Sequence, residues 1–193
     1  MLHKGGKAIK KEFAARRDLA FARATAAVNS EHYRSLLIDA LQWIEGGQRI
    51  ASEDARTPIR KFAARLLQRH IKKLRKSGRD LDKMSSLERH KLRIRAKKIR
   101  YAVEFFERLF QSGREQKQLA RLSKHLKKIQ NALGSLNDFV AHRDMAVDAA
   151  LKAPPRNGRA RAFASGVMLG REEQAVKPLL KVAAKEVRGL AGF

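Results

Sequence analysis

The chain has 193 residues, 44% of them hydrophobic, so it is long enough to bury a core and too apolar for a disordered chain. It has no cysteine, which excludes disulfides, thiolate catalysis and cysteine-based zinc sites. Its 44 Lys and Arg against 19 Asp and Glu give a formal net charge of +25, which favours a polyanionic partner such as nucleic acid, an anionic membrane surface or polyphosphate.

The residue types predict an all-α fold. Ala, Leu, Lys, Arg and Glu dominate, and Val, Ile and Thr do not alternate with polar residues as they would in strands. No run of about 18 apolar residues is present, and the charged N-terminus lacks the apolar segment of a secretory signal. We therefore expect one helical domain over residues 1–193, located in the cytoplasm.

Two helices are predicted before residue 47. Residues 1–6 are expected to be flexible, and a first helix to run over residues 7–28. A second helix is expected to end at Gly46, with Trp43 as a buried structural anchor near that end. The other apolar positions of the second helix are expected to form a core face: Leu36, Leu37, Ala40, Leu41 and Ile44.

The third and fourth helices are predicted over residues 58–76 and 85–110. Cations crowd the end of the third, where they complement the negative end of the helix dipole, so part of this charge has a structural explanation. Ser85 and Glu88 fit a capping box at the start of the fourth helix, and Gly113 is interpreted as its stop.

The fourth helix has two contrasting faces. Helical spacing predicts an apolar stripe made of Leu92, Ala96, Ile99, Val103, Phe106 and Phe110. The opposite side carries His90, Arg93, Lys97, Tyr101, Glu104 and Arg108, with Lys98 and Arg100 flanking it. Like charges at this spacing repel one another by about 0.2–0.5 kcal/mol per pair. A helix that keeps them is interpreted as prepared for an anion, the alternative being an ordinary solvated surface.

The remaining chain predicts further long helices. Leucine and isoleucine recur at helical spacing from Leu119 to Leu133, with Lys124 and Lys128 on the opposite, polar side. Gly134 lies either within one bent helix or between two. A break is expected at residues 153–158, followed by one or two helices over residues 159–190.

No catalytic or metal-binding constellation is found in the sequence. No glycine-rich phosphate loop is present, and His142 and Asp144 do not share a helix face as metal ligands would. We therefore expect a non-catalytic protein with no cofactor and no metal. Aromatic residues make up 6% of the chain and lie mostly on apolar stripes, whereas a single-strand binder would interleave them with cations. Binding of RNA or DNA nevertheless remains the alternative function.

Two runs of sequence resemble a known family. HKLRIRAKKIRYAVEFF, from His90 to Phe106, is similar to the signature helix of the CHAD family, the conserved histidine α-helical domain. LKKIQNALGSLND, from Leu126 to Asp138, resembles the second motif of that family. More loosely, SEHYRSLLIDALQWIEGG resembles the middle of such domains. The resemblance implies two related helical bundles whose basic side chains line a groove and bind inorganic polyphosphate without catalysis, in some members on polyphosphate granules.

One part of the family pattern is not found. The family carries an earlier His-x-x-Arg helix, and no copy precedes residue 29. The expected fold is therefore an antiparallel bundle of long helices, incomplete relative to the two-bundle family fold. Our hypothesis is that a homodimer would restore a second basic wall.

The candidate polyphosphate ligands fall into three groups. The first comprises His90, Arg93, Lys97, Lys98 and Arg100, and the second comprises Lys124 and Lys128, expected to face the basic side of the fourth helix. Arg34 and His142 form the third group. Arg can grip phosphate with two N–H groups, and Lys supplies a movable point charge. Because His90 would gain charge as the pH falls, binding is expected to strengthen at mildly acidic pH.

Overall fold

The computed structural model of the chain describes residues 2–46, 56–152 and 158–190. These residues form six α-helices and one short 3-10 helix, with no strand among them, so the prediction of an all-α helical bundle is confirmed. The α-helices in chain order are α1 (Leu2–Val28), α2 (Glu31–Gly46), α3 (Ile59–Ser77), α4 (Ser86–Phe106), α5 (Gly113–Leu151) and α6 (Gly158–Arg188).

Several helix limits differ from those expected. Helix α1 begins earlier, at Leu2, and the flexibility expected of residues 1–6 stays a prediction. Helix α5 passes through Gly134 without interruption, which decides between the two alternatives for that region. The expected break at 153–158 lies outside the described residues except for Gly158, where α6 begins. None of the described helices has the length and apolarity needed to cross a membrane.

Helix α4 begins with the predicted capping box. The Ser85 hydroxyl accepts a hydrogen bond from the backbone N–H of Glu88 at 3.2 Å, and the Glu88 carboxylate accepts one from the backbone N–H of Ser85 at 2.7 Å. Two backbone donors that the first helical turn would leave free are thereby satisfied. The same hydrogen bonds from Ser85 hold the pKa of Glu88 below its usual range.

The prediction of a continuous helix to Phe110 is wrong, as is the interpretation of Gly113 as a stop. Helix α4 ends at Phe106, a 3-10 turn follows over Glu107–Leu109, and Gly113 begins α5. The cause is a second capping box. The Ser112 hydroxyl accepts from the Glu115 backbone N–H at 3.3 Å, and the Glu115 carboxylate accepts from the Ser112 backbone N–H at 3.3 Å.

The described chain divides into two compact units, and the prediction of a single domain is left untested. The larger unit comprises Arg56–Val147 and Gly166–Phe193. Its core contains the predicted apolar stripe of α4, from Leu92 to Phe106, and that of α5, from Leu119 to Leu133. Each fully buried leucine or isoleucine here contributes about 1.5–3 kcal/mol. The apolar side of α4 is buried in this core. The cationic side of the helix therefore faces away from the core, where it can contact a ligand.

The smaller unit, Met1–Ala55 and Asp148–Ser165, corrects two expectations. Helix α2 contains no buried residue, so its apolar stripe does not form a core face. Trp43 is 72% exposed and is not a buried anchor. The spacing correctly marks an apolar stripe, but burial also requires a surface that covers the stripe, and the described part of the chain leaves every residue of α2 unburied. In α1, Ile9 is buried, whereas Leu19 and Phe21 are exposed.

Candidate functional site

The polar side of α4 lies against one side of α5. Nδ1 of His90 is 3.0 Å from Oδ1 of Asn137. One turn later on α4, Arg93 reaches Gly134, where the position of an added Cβ would be 3.5 Å from Arg93 Nε. Residue numbers of the contacting pairs rise along α4 and fall along α5, so the two helices run antiparallel here. We call this surface, with Gln130 one turn before Gly134, the α4–α5 face.

Gly134 explains how Arg93 fits between the helices. Glycine within a helix costs about 1 kcal/mol relative to alanine, so its position in the middle of α5 needs a packing reason. Gly134 is buried, and among the described residues the side-chain atoms within 4 Å of an added Cβ are Nε and Nη2 of Arg93. A Cβ at this position would be in ordinary contact with the guanidinium, so only a side chain longer than that of alanine would displace Arg93 from the α5 backbone.

Three buried N–H groups on this side of the molecule have no partner. They are Nε of Arg93, Nε of Arg100 and Nε2 of Gln130. A buried donor left without an acceptor costs about 1–3 kcal/mol, so native proteins rarely keep one without a purpose. Arg93 and Arg100 are seven residues apart on the same side of α4, and Gln130 shares the side of Gly134 on α5. The arrangement supplies donors from two helices to an acceptor that the described residues do not provide.

Further along α4, the cationic side includes an aromatic ring. Lys97 Nζ lies 5.5 Å and Arg100 Cζ 5.0 Å from the centre of the Tyr101 ring. These cation–π contacts hold the two cations together despite their repulsion. Arg100 Nη1 also donates to Glu104 at 2.7 Å. Exposed pairs of this kind contribute about 0.3–0.5 kcal/mol, so Glu104 orients Arg100 more than it stabilises the fold.

Lys98 lies away from the α4–α5 face. It is exposed and close enough to His70 of α3 to disfavour a second charge there. Burial lowers the pKa of His70, and the positive charges of Lys73, Arg69 and Lys98 lower it further. Lys98 therefore belongs to the α3 side of α4 and is not brought together with His90 and Arg93.

The structure also does not bring Lys128 to the α4–α5 face. Lys128 Nζ donates to Glu186 Oε1 at 3.0 Å, and His125 Nδ1 lies 2.6 Å from Glu186 Oε2. Burial raises the pKa of Glu186, but the hydrogen bonds from Lys128 and His125 outweigh it and leave that pKa below its usual range. Lys124 is exposed and shares the side of Lys128. Both lysines thus lie on a side of α5 different from that of Gln130.

The two remaining candidates are Arg34 and His142. Arg34 is exposed on α2, in the smaller unit. His142 Nδ1 contacts both carboxylate oxygens of Glu172 on α6, at 3.0 and 3.2 Å. A carboxylate beside His142 opposes an incoming anion, so we exclude His142 from the site. Among the described residues, no group of three or more His, Cys, Asp or Glu side chains could hold a metal ion.

Sequence reasoning missed three members of the α4–α5 face. Gln130 and Asn137 are uncharged, so a search for cations passed over them, although both fall in the motif that ends at Asp138. Lys127 is exposed and lies three residues before Gln130. Measured about the helix axis, Lys127 is about 60° from Gln130, whereas Lys128 is about 160° from it. The available signal was the spacing of Lys127, Gln130, Gly134 and Asn137, a stripe of polar and small residues on one side of α5.

Comparison with known proteins places these residues in a recognised domain. A family model described as the CHAD domain matches residues 2–147, three quarters of the chain, and every residue of the α4–α5 face lies within that match. No curated protein and no solved structure matches the chain.

Proposed function

The chain belongs to the CHAD domain family, and we propose on that premise that it binds inorganic polyphosphate along the α4–α5 face. The observation that carries the proposal is the set of buried N–H donors without a partner, Arg93 Nε, Arg100 Nε and Gln130 Nε2. A chain of phosphates offers acceptor oxygens at every unit and a negative charge for the cations beside these donors. One ligand would therefore satisfy both the hydrogen bonds and the charge.

Each side chain of the face has a distinct part in this binding. The Arg93 and Arg100 guanidiniums donate to phosphate oxygens, and charge-assisted hydrogen bonds of this type are about twice as strong as neutral ones. Gln130 donates from its uncharged amide. Lys97 supplies a point charge beside Arg100, and Lys127 extends the cationic path on α5.

His90 binds through the nitrogen opposite its contact with Asn137. With the Asn137 oxygen as acceptor, Nδ1 of His90 carries a proton and donates it. In the neutral ring Nε2 then has a lone pair, which repels a phosphate oxygen. A ring with a proton on both nitrogens donates from Nε2 and carries a positive charge, so this is the form of His90 that suits a phosphate oxygen.

We further propose that binding is not accompanied by catalysis. The one carboxylate on the cationic side of α4 in this region, Glu104, is bonded to Arg100. Metal-assisted cleavage of a phosphoanhydride would need carboxylates that are free to hold the metal ion. Cytoplasmic polyphosphate, free or in granules, is the ligand pool that the proposal implies.

Nucleic acid is the second candidate, and Tyr101 is the residue that favours it. The ring is 48% exposed among cations, as single-strand binders arrange stacking platforms. Lys97 and Arg100 lie over the ring, however, and limit the room for a base. Phosphate oxygens of either ligand would satisfy Gln130 and Arg93, so the cations over the Tyr101 ring are what make polyphosphate our first assignment.

Competition at two salt concentrations tests this assignment. Labelled single-stranded RNA is bound to the full chain and challenged with long-chain polyphosphate or with unlabelled RNA at equal phosphate concentration. We expect polyphosphate to displace RNA and RNA to displace labelled polyphosphate poorly, with both affinities falling steeply as salt rises. If RNA displaces polyphosphate more effectively than the reverse, the ligand class is nucleic acid.

A further inference from the structure

A second cationic site lies in the larger unit, where α3 and α6 end. A cavity of about 380 Å³ opens there, within the size range of small-molecule pockets. We call it the α3–α6 cavity; it is lined by Lys72, Arg75, Lys76, Arg79, Val187 and Arg188. Five of these six residues are cations, and none is a carboxylate.

Helix dipoles account for only part of this charge. Helix α3 ends at Ser77 and α6 at Arg188, and each C-terminus carries roughly half a negative charge. Two such ends offset about one of the five positive charges. Helix α3 contributes no internal compensation, since it has eight Lys and Arg and no Asp or Glu. The residues that line the cavity therefore carry about four positive charges beyond those that the two helix ends offset, which favours an anionic occupant.

A close approach of α6 to the end of α3 builds the cavity. A Cβ on Gly78 would lie 2.7 Å from Cγ1 of Val187, a distance that real side chains do not tolerate. Val187 is 1% exposed, so it cannot move aside. Glycine at this position therefore allows the ends of the two helices to approach each other. This approach places Arg188 beside the cations near the end of α3. The charges converge because the buried core holds their helices there.

We propose that the α3–α6 cavity is a second condensed-phosphate site, separate from the α4–α5 face. The choice of phosphate chemistry rests on the proposed function, whereas the existence of an anion site rests on the cavity and its charge. Arg75, in the last turn of α3, and Arg79, two residues beyond the end of that helix, donate to phosphate oxygens, and Lys72 and Lys76 neutralise charge. One long polyphosphate engaging both sites of a chain would gain affinity through effective concentration.

Calorimetric titration with tripolyphosphate tests the second site, using the full chain at constant salt. We expect two molecules of tripolyphosphate per wild-type chain. Arg75→Gln with Arg79→Gln should weaken binding at one site at least about tenfold, since each substitution removes charged hydrogen bonds. The matched control is Arg69→Gln with Lys73→Gln, which removes the same charge from α3 outside the cavity and should keep both sites. Circular dichroism checks that each variant keeps its helices.

The outcomes separate this inference from the function proposed above. The second site does not exist if the variant with Arg75→Gln and Arg79→Gln still binds two molecules of tripolyphosphate. It also does not exist if the wild-type chain binds one molecule and only the variant with Arg93→Ala and Lys97→Ala loses it. If the Arg75/Arg79 variant and the Arg69/Lys73 variant weaken binding equally, the loss reflects the lower net charge of the protein, and the inference also fails. If the α4 double variant keeps both sites, the α4–α5 assignment fails instead.

Discussion

Nδ1 of His90 and Oδ1 of Asn137 lie 3.0 Å apart, which ties the imidazole of α4 to an amide of α5. This contact leaves Nε2 as the nitrogen that can serve a ligand, and only the protonated ring can donate from it. Polyphosphate affinity should therefore be higher at mildly acidic pH than at alkaline pH, because acid favours the ring that is protonated on both nitrogens. Fluorescence anisotropy with labelled polyphosphate measures the profile.

The control for that profile is a second histidine. His90→Gln should flatten the dependence on pH, whereas His142→Gln should leave it intact, because His142 is held by Glu172 away from the α4–α5 face. If His90→Gln retains the full dependence, the proton is taken up by another group.

Gln130 offers a test that changes no charge. Its buried Nε2 has no partner, so Gln130→Ala should weaken polyphosphate binding about fivefold to tenfold, the value of roughly one hydrogen bond. Asn131→Ala removes the neighbouring amide, which is exposed, and should change affinity less than about twofold. Equal losses in both variants would mean that Gln130 makes no contact with the ligand.

Gly134 should tolerate alanine but not a large side chain. The added Cβ would meet Arg93 at 3.5 Å, an ordinary contact, and alanine favours the helix by about 1 kcal/mol. Gly134→Ala should therefore raise the thermal midpoint and keep most of the affinity. Gly134→Leu should displace the guanidinium and weaken binding. A lower midpoint for Gly134→Ala would contradict the ordinary contact distance between the added Cβ and Arg93.

Glu186 makes the stability of the larger unit depend on pH. Its pKa is held below the usual range in the folded state, so its stabilising effect is present above its pKa in the unfolded chain. The effect is lost as the pH falls through the depressed value. Glu186→Gln should thus cost about 1 kcal/mol at neutral pH, and the difference from wild type should shrink in acid. Urea denaturation at several pH values measures it; a constant difference would contradict the ion-pair interpretation.

The parts of the fold that depend on local spacing were predictable from the sequence. The capping box of Ser85 and Glu88 needs two residues three apart, and the apolar stripes of α4 and α5 follow from helical geometry. Burial is a different matter, because it needs a partner surface that spacing cannot supply. Helix α2 has a clear apolar stripe and no buried residue, and Trp43 is exposed with it.

Of the candidate site, the residues on α4 could be predicted from helical spacing, whereas the residues on α5 depend on how the two helices pack. His90, Arg93, Lys97 and Arg100 share one side of one helix, so periodicity alone groups them, and their part in binding stays a prediction. How α5 is rotated relative to α4 depends on core packing, and sequence reasoning took Lys128 for the facing residue where the structure has it bonded to Glu186. The uncharged members, Gln130 and Asn137, carry no charge signal at all.

Arg93 and Lys97 provide the most direct test of the account. Arg93→Ala with Lys97→Ala removes two cations from the α4–α5 face, and Lys117→Ala with Lys124→Ala removes two exposed cations from another part of α5. Affinity for long-chain polyphosphate is measured for both variants at equal salt, with helicity checked by circular dichroism. We predict a loss of at least about tenfold for the first and less than about threefold for the second. Unchanged affinity in the first variant, or equal loss in both, would contradict polyphosphate binding at this face.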